Sequence, residues 1–378
     1  MKNTLTAAAT LMLTTSIASA GGVERAVPSV GLLYESGDYL ELNFGYVSPE
    51  VSGTQSVTVS AGSQAGADSG NMTKDYTQLS LGYKSDLSEN LSLALIIDQP
   101  IGAAVDYSGD TSYLYGGGGG NPEGSSASID SVGITTILNY KMDNSVNVYG
   151  GLRAIRTSGE VSLFTTYEMS TSEETDYGYL VGVGWERPEI AARVALTYHS
   201  EITHDFEADE SQGGSGSTTE FSTTIPQSVT LEGQTGVAAD TLVFGSIRWV
   251  DWTEFDITPV GYEAATGDAL VEYDDDTITY NIGVGRRFND AWSGAVTAGY
   301  EAENDGFSGN LGPTDGNTSL GVALTHTMDN IRITGGVRHI WIGDAETEAP
   351  APFPEGTTFS EFEDNTAWAA GLRVAVNF

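Results

Sequence analysis

Arginine is scarce in this sequence, and several arginines occupy equivalent positions in short alternating segments. The chain carries 15 lysine and arginine residues against 52 acidic ones. Period-two alternation places apolar neighbours on one face of each segment and the arginine on the other. A guanidinium in a narrow, partly apolar passage can hold a carboxylate through two hydrogen bonds, although pairing with the plentiful acidic side chains is the competing interpretation. The arginines that alternation assigns to the inner face are Arg153, Arg193, Arg248, Arg338 and Arg373.

Apolar residues in two predicted loops form a second candidate binding feature. Tyr113, Leu114 and Tyr115 precede a run of five glycines, and Phe164 and Tyr167 open the next long loop. Together they are predicted to make a shallow apolar groove that captures a hydrophobic ligand. Aromatic residues placed at a membrane interface give the same pattern, so both interpretations stand.

A third feature is a predicted break in one strand. An apolar alternating segment from residue 91 to 97 runs into Asp98, Gln99, Pro100, Ile101 and Gly102. Proline cannot donate to the strand ladder and glycine favours bends, so pairing should fail near Pro100. The break is either a lateral opening in a wall or simply the end of the strand.

Enzymatic chemistry finds little support. His199, His204, His326 and His339 are scattered without the spacing of metal ligands, and the glycines 116–120 are not followed by the lysine and helix of a phosphate-binding loop. The acidic triplet 274–276 lies in no calcium-binding repeat. We therefore predict no enzyme, no cofactor and no metal.

The C-terminal segment indicates that the candidate binding residues are carried by the strands of a barrel. In residues 362–378, Phe362, Trp368, Leu372, Val374 and Phe378 share one face, and polar residues and glycine occupy the other. An alternating strand that ends on an aromatic residue is typical of the closing strand of an outer-membrane barrel. Phe378 would then be the signal that the barrel-assembly machinery recognises.

The remaining composition agrees with export and with a barrel. Residues 1–20 have the features of a signal peptide, with Lys2, an apolar stretch and a small-x-small cleavage site before Gly21. No later window offers the roughly 18 consecutive apolar residues of a spanning helix, so membrane insertion would require strands. The chain has no cysteine, and its net charge of −37 argues against nucleic-acid binding.

Turn signals divide the mature chain into roughly fourteen strands joined by alternating short and long connections. The predicted short connections are 86–90, 142–145, 187–189, 236–240, 289–291 and 329–330, and the long ones are 52–74, 100–128, 165–175, 208–217, 261–272, 304–316 and 345–361. This pattern predicts a single all-β domain, a transmembrane antiparallel β-barrel over residues 38–378.

Residues 21–37 precede the first predicted strand and are too apolar for a free tail. We predict that they form a short plug in the lumen, where Leu32, Leu33 and Tyr34 would contact ligand. A simple lead-in to the barrel wall is the alternative.

Three segments resemble the FadL-type outer-membrane transporters of long-chain fatty acids and other hydrophobic compounds. They are LTYHSEITHDF (196–206), TIPQSVTLEG (224–233) and IRWVDWTEF (247–255). The resemblance implies a fourteen-stranded barrel with an N-terminal plug, a kinked third strand that forms a lateral opening, and a basic pocket residue on the fifth strand, where Arg153 stands. The chain departs from the family in lacking an Asn-Pro-Ala motif near its N-terminus.

We therefore expect a monomeric bacterial outer-membrane channel for passive uptake of hydrophobic small molecules, with long-chain fatty acids as the favoured ligand. Capture would occur at the loops, binding in the lumen, and exit into the outer-membrane lipid at Gln99, Pro100, Ile101 and Gly102. A non-specific porin or a structural barrel is the alternative, and it would lack the blocked lumen and the break in the wall.

Overall fold

The computed structural model describes residues 22–120, 122–304 and 306–378. The predicted signal peptide, residues 1–20, lies outside them. In this part of the chain nearly all regular structure is strand, with one short α-helix, α1 (Val260–Thr266), and 3-10 turns at Gly31–Tyr34, Gly117–Gly119, Pro188–Ile190 and Trp252–Glu254. None of the described helices is long and apolar enough to cross a membrane. The strands are β1 (Tyr39–Glu50), β2 (Thr54–Gln55), β3 (Tyr76–Asp86), β4 (Leu91–Asp98), β5 (Ala103–Asp106), β6 (Ser126–Lys141), β7 (Val146–Ser162), β8 (Tyr167–Thr171), β9 (Glu174–Arg187), β10 (Ala192–His199), β11 (Ile202–Gln212), β12 (Ser215–Ile225), β13 (Ser228–Ala238), β14 (Thr241–Val250), β15 (Asp256–Ile257), β16 (Val271–Glu272), β17 (Thr277–Arg287), β18 (Trp292–Glu301), β19 (Asn317–Met328), β20 (Ile331–Ile342), β21 (Ala345–Glu348), β22 (Thr358–Phe362) and β23 (Thr366–Asn377).

Eighteen of these strands form one antiparallel sheet that closes on itself. The first and last strands pair along their whole length, from Tyr39 with Asn377 to Glu50 with Thr366. Four wall strands are interrupted and consist of two consecutive segments each, namely β4 with β5, β8 with β9, β10 with β11, and β12 with β13. The eighteen segments therefore make fourteen wall strands, and the predicted barrel is confirmed.

The two faces of the wall differ as the alternation predicts. On β6, Val132, Ile134 and Leu138 are exposed on the outside, whereas Thr135 and Asn139 are buried inside. Closure satisfies the backbone hydrogen bonds between strands, and the apolar outer face suits hydrocarbon. The wall strands thus present their polar side chains to the lumen.

Two predicted long loops are wrong, because strand pairing continues through them. β7 turns at residues 163–166 and pairs with β8, and β11 and β12 form a hairpin from Ile202 paired with Ile225 up to Gln212 paired with Ser215. The turn of that hairpin is Gly213 and Gly214, both with positive φ. Two left-handed residues match the twist of a tight hairpin, so a loop that looked long from its polar composition is mostly strand.

Phe362 is also placed differently from the prediction. It lies on β22, fully buried, rather than on the outer face of the closing strand. Asp364 has a φ of 58°, which breaks the extended chain before β23 begins at Thr366. The outward aromatic alternation of the closing strand therefore starts at Trp368, whose side chain is exposed.

The long connections pack together at one end of the barrel, called here the long-loop end. A three-stranded sheet of β2, β22 and β21 contributes to it. Its buried core includes Met72, Tyr107, Tyr113, Phe359 and Phe362, which come from three different connections. These connections form a packed cover rather than separate loops.

Candidate functional site

The wall is interrupted at the third wall strand. Pairing with β6 stops at Asp98 opposite Gly133 and resumes at Ala103 opposite Ile129. Residues 99–102 of the third wall strand therefore lie opposite residues 130–132 of β6, so the third strand has one extra residue here. On the other side, the ladder with β3 ends at Leu81 opposite Ile97. Above that point only an isolated bridge joins Thr73 to Val105. A stretch of β3 therefore lacks its ladder to the third strand.

Four residues, 99–102, fill this interruption and turn into the lumen. The Ile101 N–H donates to the Ser131 hydroxyl at 2.9 Å, and Ser131 donates to the Ile101 carbonyl at 2.5 Å. The Gln99 side-chain oxygen accepts from the Leu79 N–H at 3.2 Å. Pro100 has no N–H to contribute to the ladder, which explains why the strand fails here. The position of the break matches the sequence prediction.

The N-terminal segment supplies the partner that the break lacks. Arg25 donates its backbone N–H to the Pro100 carbonyl at 2.8 Å, and Gly102 donates to the Val23 carbonyl at 2.9 Å. A Cβ on Gly102 would lie 2.5 Å from Nε of Arg25, so a larger residue here would require the Arg25 side chain to move. Residues 23–26 thus pair with the inward-turned part of the third wall strand.

A buried ion pair anchors the same segment to the opposite wall. Arg248 donates from Nε and Nη2 to the two carboxylate oxygens of Glu24, at 3.0 and 2.6 Å, and from Nη1 to Thr230 at 2.9 Å. Arg153 interacts electrostatically with Asp98, just before the break, and with Glu24. The guanidinium of Arg248 is therefore occupied by protein groups, whereas Arg153 lines none of the cavities described below.

The following residues of the segment pack at the other end of the lumen. Val30, Leu32 and Leu33 are buried against inward side chains of several wall strands, among them Tyr149 and Leu180. Tyr34 lies under the guanidinium of Arg193, with 5.0 Å from the guanidinium carbon to the ring centre. These residues fill the barrel below the break.

Arg338 and Arg373 differ in their surroundings. Arg373 donates to Asn43 at 2.6 Å and lies 3.8 Å from Glu41. Arg338 projects from β20 into the main cavity of the lumen, and no hydrogen bond or ion pair joins it to any residue in the described part of the chain. Gly321 pairs with it on β19. Of the predicted arginines, Arg338 is therefore the one best placed to meet a ligand.

The main cavity, called here the luminal cavity, has a volume of about 280 Å³. It lies between the N-terminal segment, the break and the long-loop end, and most of its lining is apolar. Val23, Ile101 and Val105 line it near the break, and Phe206, Phe221 and Ile225 line it from the β11–β12 hairpin. Such a largely apolar pocket with a few polar groups is typical of a small-molecule site.

A smaller cavity of about 120 Å³ adjoins the first and reaches the wall at the break. It shares Pro28, Ser29 and Phe244 with the luminal cavity. Its lining runs from Arg193 and His199 inside to Leu79, Ser80 and Gln99 at the interrupted ladder. Empty space therefore extends from the luminal cavity toward the gap between β3 and the third wall strand.

The predicted aromatic capture groove is not an exposed surface. Tyr113 and Leu114 are buried in the long-loop end, where the Tyr113 hydroxyl donates to Ser360 at 2.8 Å. Tyr115 packs edge-on against Phe164, with ring centres 5.0 Å apart. Burial raises the pKa of Tyr113 and Tyr115, so both stay uncharged. Packing among the loops, which alternation does not encode, covers these side chains.

Tyr167, predicted as part of the same groove, is buried in the wall extension. Its hydroxyl donates to Glu210 at 2.7 Å, and Glu210 also accepts from the backbone N–H groups of Gly261 and Tyr262 at 2.9 and 3.1 Å. This carboxylate ties the loop that carries α1 to the β11–β12 hairpin. Glu210 was not singled out from the sequence, because its partners lie about fifty residues away.

A closed barrel of fourteen strands with an apolar outer face, an occupied lumen and an apolar cavity defines a class, the outer-membrane transport barrels. The family described as "Outer membrane protein transport protein (OMPP1/FadL/TodX)" matches residues 30–306, most of the chain. The protein belongs to this family, which confirms the resemblance seen in the sequence. Its members are transport channels for hydrophobic compounds and not enzymes.

Solved structures support the same fold at low sequence identity. A Pseudomonas aeruginosa FadL homologue is 12% identical, with a TM-score of 0.74 and 92% of each chain covered. The Pseudomonas putida toluene transporter TodX is 11% identical, with a TM-score of 0.64 and 96% of each chain covered. The Ralstonia pickettii toluene transporter TbuX is 13% identical, with a TM-score of 0.61 and 97% and 98% covered. No curated protein sequence matches the chain. At these identities the structural likeness establishes the fold alone.

Proposed function

We propose that this protein is a bacterial outer-membrane channel that takes up hydrophobic small molecules by passive diffusion, with long-chain fatty acids as the favoured ligand. The observation that carries the proposal is the apolar luminal cavity that adjoins an interrupted wall strand. A ligand would bind in this cavity and leave sideways through the gap at Gln99, Pro100, Ile101 and Gly102.

The favoured ligand follows from Arg338. Arg338 is partly buried and has no counter-ion among the described residues, which is unfavourable, and a ligand carboxylate would supply the missing charge and two hydrogen bonds. The apolar lining would hold the acyl chain. Structural relatives that are described as toluene transporters indicate that uncharged hydrocarbons are the main alternative.

Lateral exit is favoured over a straight path because the lumen beyond the cavity is polar and filled. The N-terminal segment lies there as a plug, together with the Glu24–Arg248 pair and with Arg193 close to Glu232. An apolar ligand would have to displace these charged groups to pass along the barrel axis, whereas the gap opens toward lipid. The exposed apolar residue Leu79 borders that gap.

The proposal also covers the location, the oligomeric state and the assembly of the protein. The apolar outer face would contact outer-membrane lipid in a multi-pass arrangement, and the closed ladder needs no second copy, so we propose a monomer. The exposed aromatic side chain of Phe378 would be the recognition point for the barrel-assembly machinery.

The exit route is tested by filling the gap. Ser80 lies on the inward face of β3 beside the smaller cavity, so Ser80→Trp should obstruct the gap without entering the luminal cavity. In cells that lack other fatty-acid channels, we expect this variant to lower uptake of labelled oleate about tenfold or more, while oleate binding to the purified barrel is kept. Thr77→Trp adds the same bulk on the outward face of β3 and is the matched control.

Two results would contradict the proposal. Normal oleate uptake by the Ser80→Trp variant would exclude this exit. Rapid passage of small sugars through the wild-type barrel in proteoliposomes would favour a non-specific porin instead.

A further inference from the structure

In one wall of the luminal cavity, a cross-strand pair of polar residues lies between two pairs of apolar residues. In the β11–β12 hairpin, Ile202 pairs with Ile225, His204 with Thr223, and Phe206 with Phe221. All but Ile202 line the cavity. Directly opposed residues in an antiparallel pair project on the same face about 5 Å apart, so His204 and Thr223 form one patch.

The Thr223 hydroxyl is buried and has no hydrogen-bond partner among the described residues. Thr223 itself is 7% exposed and lines the cavity. A buried hydroxyl left unpaired is costly, and an unsatisfied group in the lining of a ligand cavity is explained when the ligand completes it.

His204 is held in one orientation beside this hydroxyl. Its Nδ1 lies 2.8 Å from a carboxylate oxygen of Asp176, and its Nε2 lies 3.3 Å from the hydroxyl of Thr157, another residue of the cavity lining. When Nδ1 donates to Asp176, Nε2 presents a lone pair. The patch therefore offers an acceptor at His204 and a rotatable hydroxyl at Thr223.

Aromatic rings flank the patch. The ring centres of His204 and Phe206 are 5.6 Å apart, and those of Phe206 and Phe221 are also 5.6 Å apart. Rings at this spacing can stack against an aromatic ligand. A carboxylate placed here would face the carboxylate of Asp176 behind the imidazole, which favours an uncharged polar group.

We propose that Thr157, His204 and Thr223 form a subsite of the luminal cavity that binds the hydroxyl group of an uncharged phenol, whose ring lies against Phe206 and Phe221. This inference rests on the proposed binding of hydrophobic molecules in the cavity and narrows it. The phenolic hydroxyl donates to Nε2 of His204, where it replaces the Thr157 hydroxyl, and accepts from the hydroxyl of Thr223. The subsite lies on a different part of the wall from Arg338, so it adds a ligand class to the fatty acids.

The experiment compares p-cresol with p-xylene, two molecules of nearly equal size and shape that differ by a hydroxyl in place of a methyl group. Binding of each is measured by titration calorimetry on the barrel in lipid nanodiscs, with empty nanodiscs subtracted for partitioning. We expect the wild type to prefer p-cresol by about tenfold, the ratio left by its two neutral hydrogen bonds after the cost of removing the hydroxyl from water.

Three variants locate that preference. Thr223→Val removes the hydroxyl at constant volume and should lose the preference for p-cresol while p-xylene binding stays within about twofold. Thr223→Ser should keep the preference. Thr325→Val is the control, because it removes another buried lumen hydroxyl, one that lies 2.8 Å from Thr334 and lines neither cavity.

Each outcome separates the inference from the proposed function. Equal binding of both compounds by the wild type, or an unchanged preference in Thr223→Val, would overturn the phenol subsite and leave the hydrophobic channel standing. Failure of the wild type to bind p-xylene, p-cresol and oleate would overturn the channel function itself, and the subsite with it.

Discussion

The contact between Glu24 and Arg248 is a buried ion pair that joins the N-terminal segment to the barrel wall. Both charges are buried, and the guanidinium uses three nitrogen donors, two on Glu24 and one on Thr230. Removal of one partner from a buried pair leaves the other charge uncompensated, which typically costs about 3–5 kcal/mol. The barrel ladder does not depend on this pair, so the cost should appear as release of the segment.

The first prediction is that Glu24→Gln frees residues 22–38 while the barrel stays folded. A protease added to the purified variant should cut this segment at least tenfold faster than in the wild type, and heating should unfold the barrel at nearly the same temperature. Glu173→Gln is the control, because it breaks an exposed pair with Arg156, where the expected effect is below about 1 kcal/mol. Equal cleavage rates in all three proteins would show that the pair does not hold the segment.

For a single residue, the sequence predicts the face of the strand on which its side chain lies but not the residues that the side chain contacts. Alternation is enough to place Arg153, Arg193, Arg248, Arg338 and Arg373 on the inner face. It cannot tell that Arg248 is occupied by Glu24, 224 residues away, while Arg338 meets no partner within the described part of the protein. Which arginine can meet a ligand is decided by where the N-terminal segment lies, and that depends on packing across the lumen. Arg153 was favoured by resemblance, yet it lines neither cavity and interacts electrostatically with Asp98 and Glu24.

The third wall strand shows how one element combines a sequence signal with a tertiary contact. Pro100 and Gly102 predict the break from the sequence, because one lacks a donor and the other has no Cβ. The inward turn is then held by Ser131 on one side and by Val23 and Arg25 on the other. The prediction of long loops at 165–175 and 208–217 was wrong, because there the tertiary contact contradicts the sequence signal. Polar residues alternate in these ranges with buried ones such as Met169 and Ala208, and hairpin pairing overrides their loop-like composition.

The second prediction concerns the extra residue in that strand. Deletion of Gln99 combined with Pro100→Val equalises the number of residues on the third strand and on β6 and restores a backbone donor. We expect the strand to pair continuously and oleate uptake to fall several-fold, with the barrel still inserted and heat-stable. Pro49→Val, at a wall proline in regular pairing with Ala367, is the control and should take up oleate normally. Undiminished uptake in a variant whose ladder is shown to be continuous would refute a role for the break.

For the whole molecule, closure is the property that the sequence encodes best. The alternating segments and their number predict a fourteen-stranded barrel, because period-two patterning with one apolar face has few other solutions in a membrane. The path of residues 22–38 is not encoded in this way. Their apolar side chains show that they must be covered, whereas the place where they pack follows from the shape of a lumen built by residues throughout the chain.

The third prediction concerns the N-terminal segment, which lies in the lumen and does not take part in the barrel wall. Deletion of residues 22–38 removes Val30, Leu32 and Leu33 from the lumen and leaves the paired strands intact. Water should enter the vacated space, so single-channel recordings in planar bilayers should change from nearly silent to a steady ion conductance. Because the deletion removes Glu24 and Glu35 and leaves Arg248 and Arg332 of the wall without their ion-pair partners, the open barrel should gain permeability to anions. A deletion variant that inserts normally but stays silent would show that the long-loop end closes the pore by itself, and the segment would then have to act on the break alone.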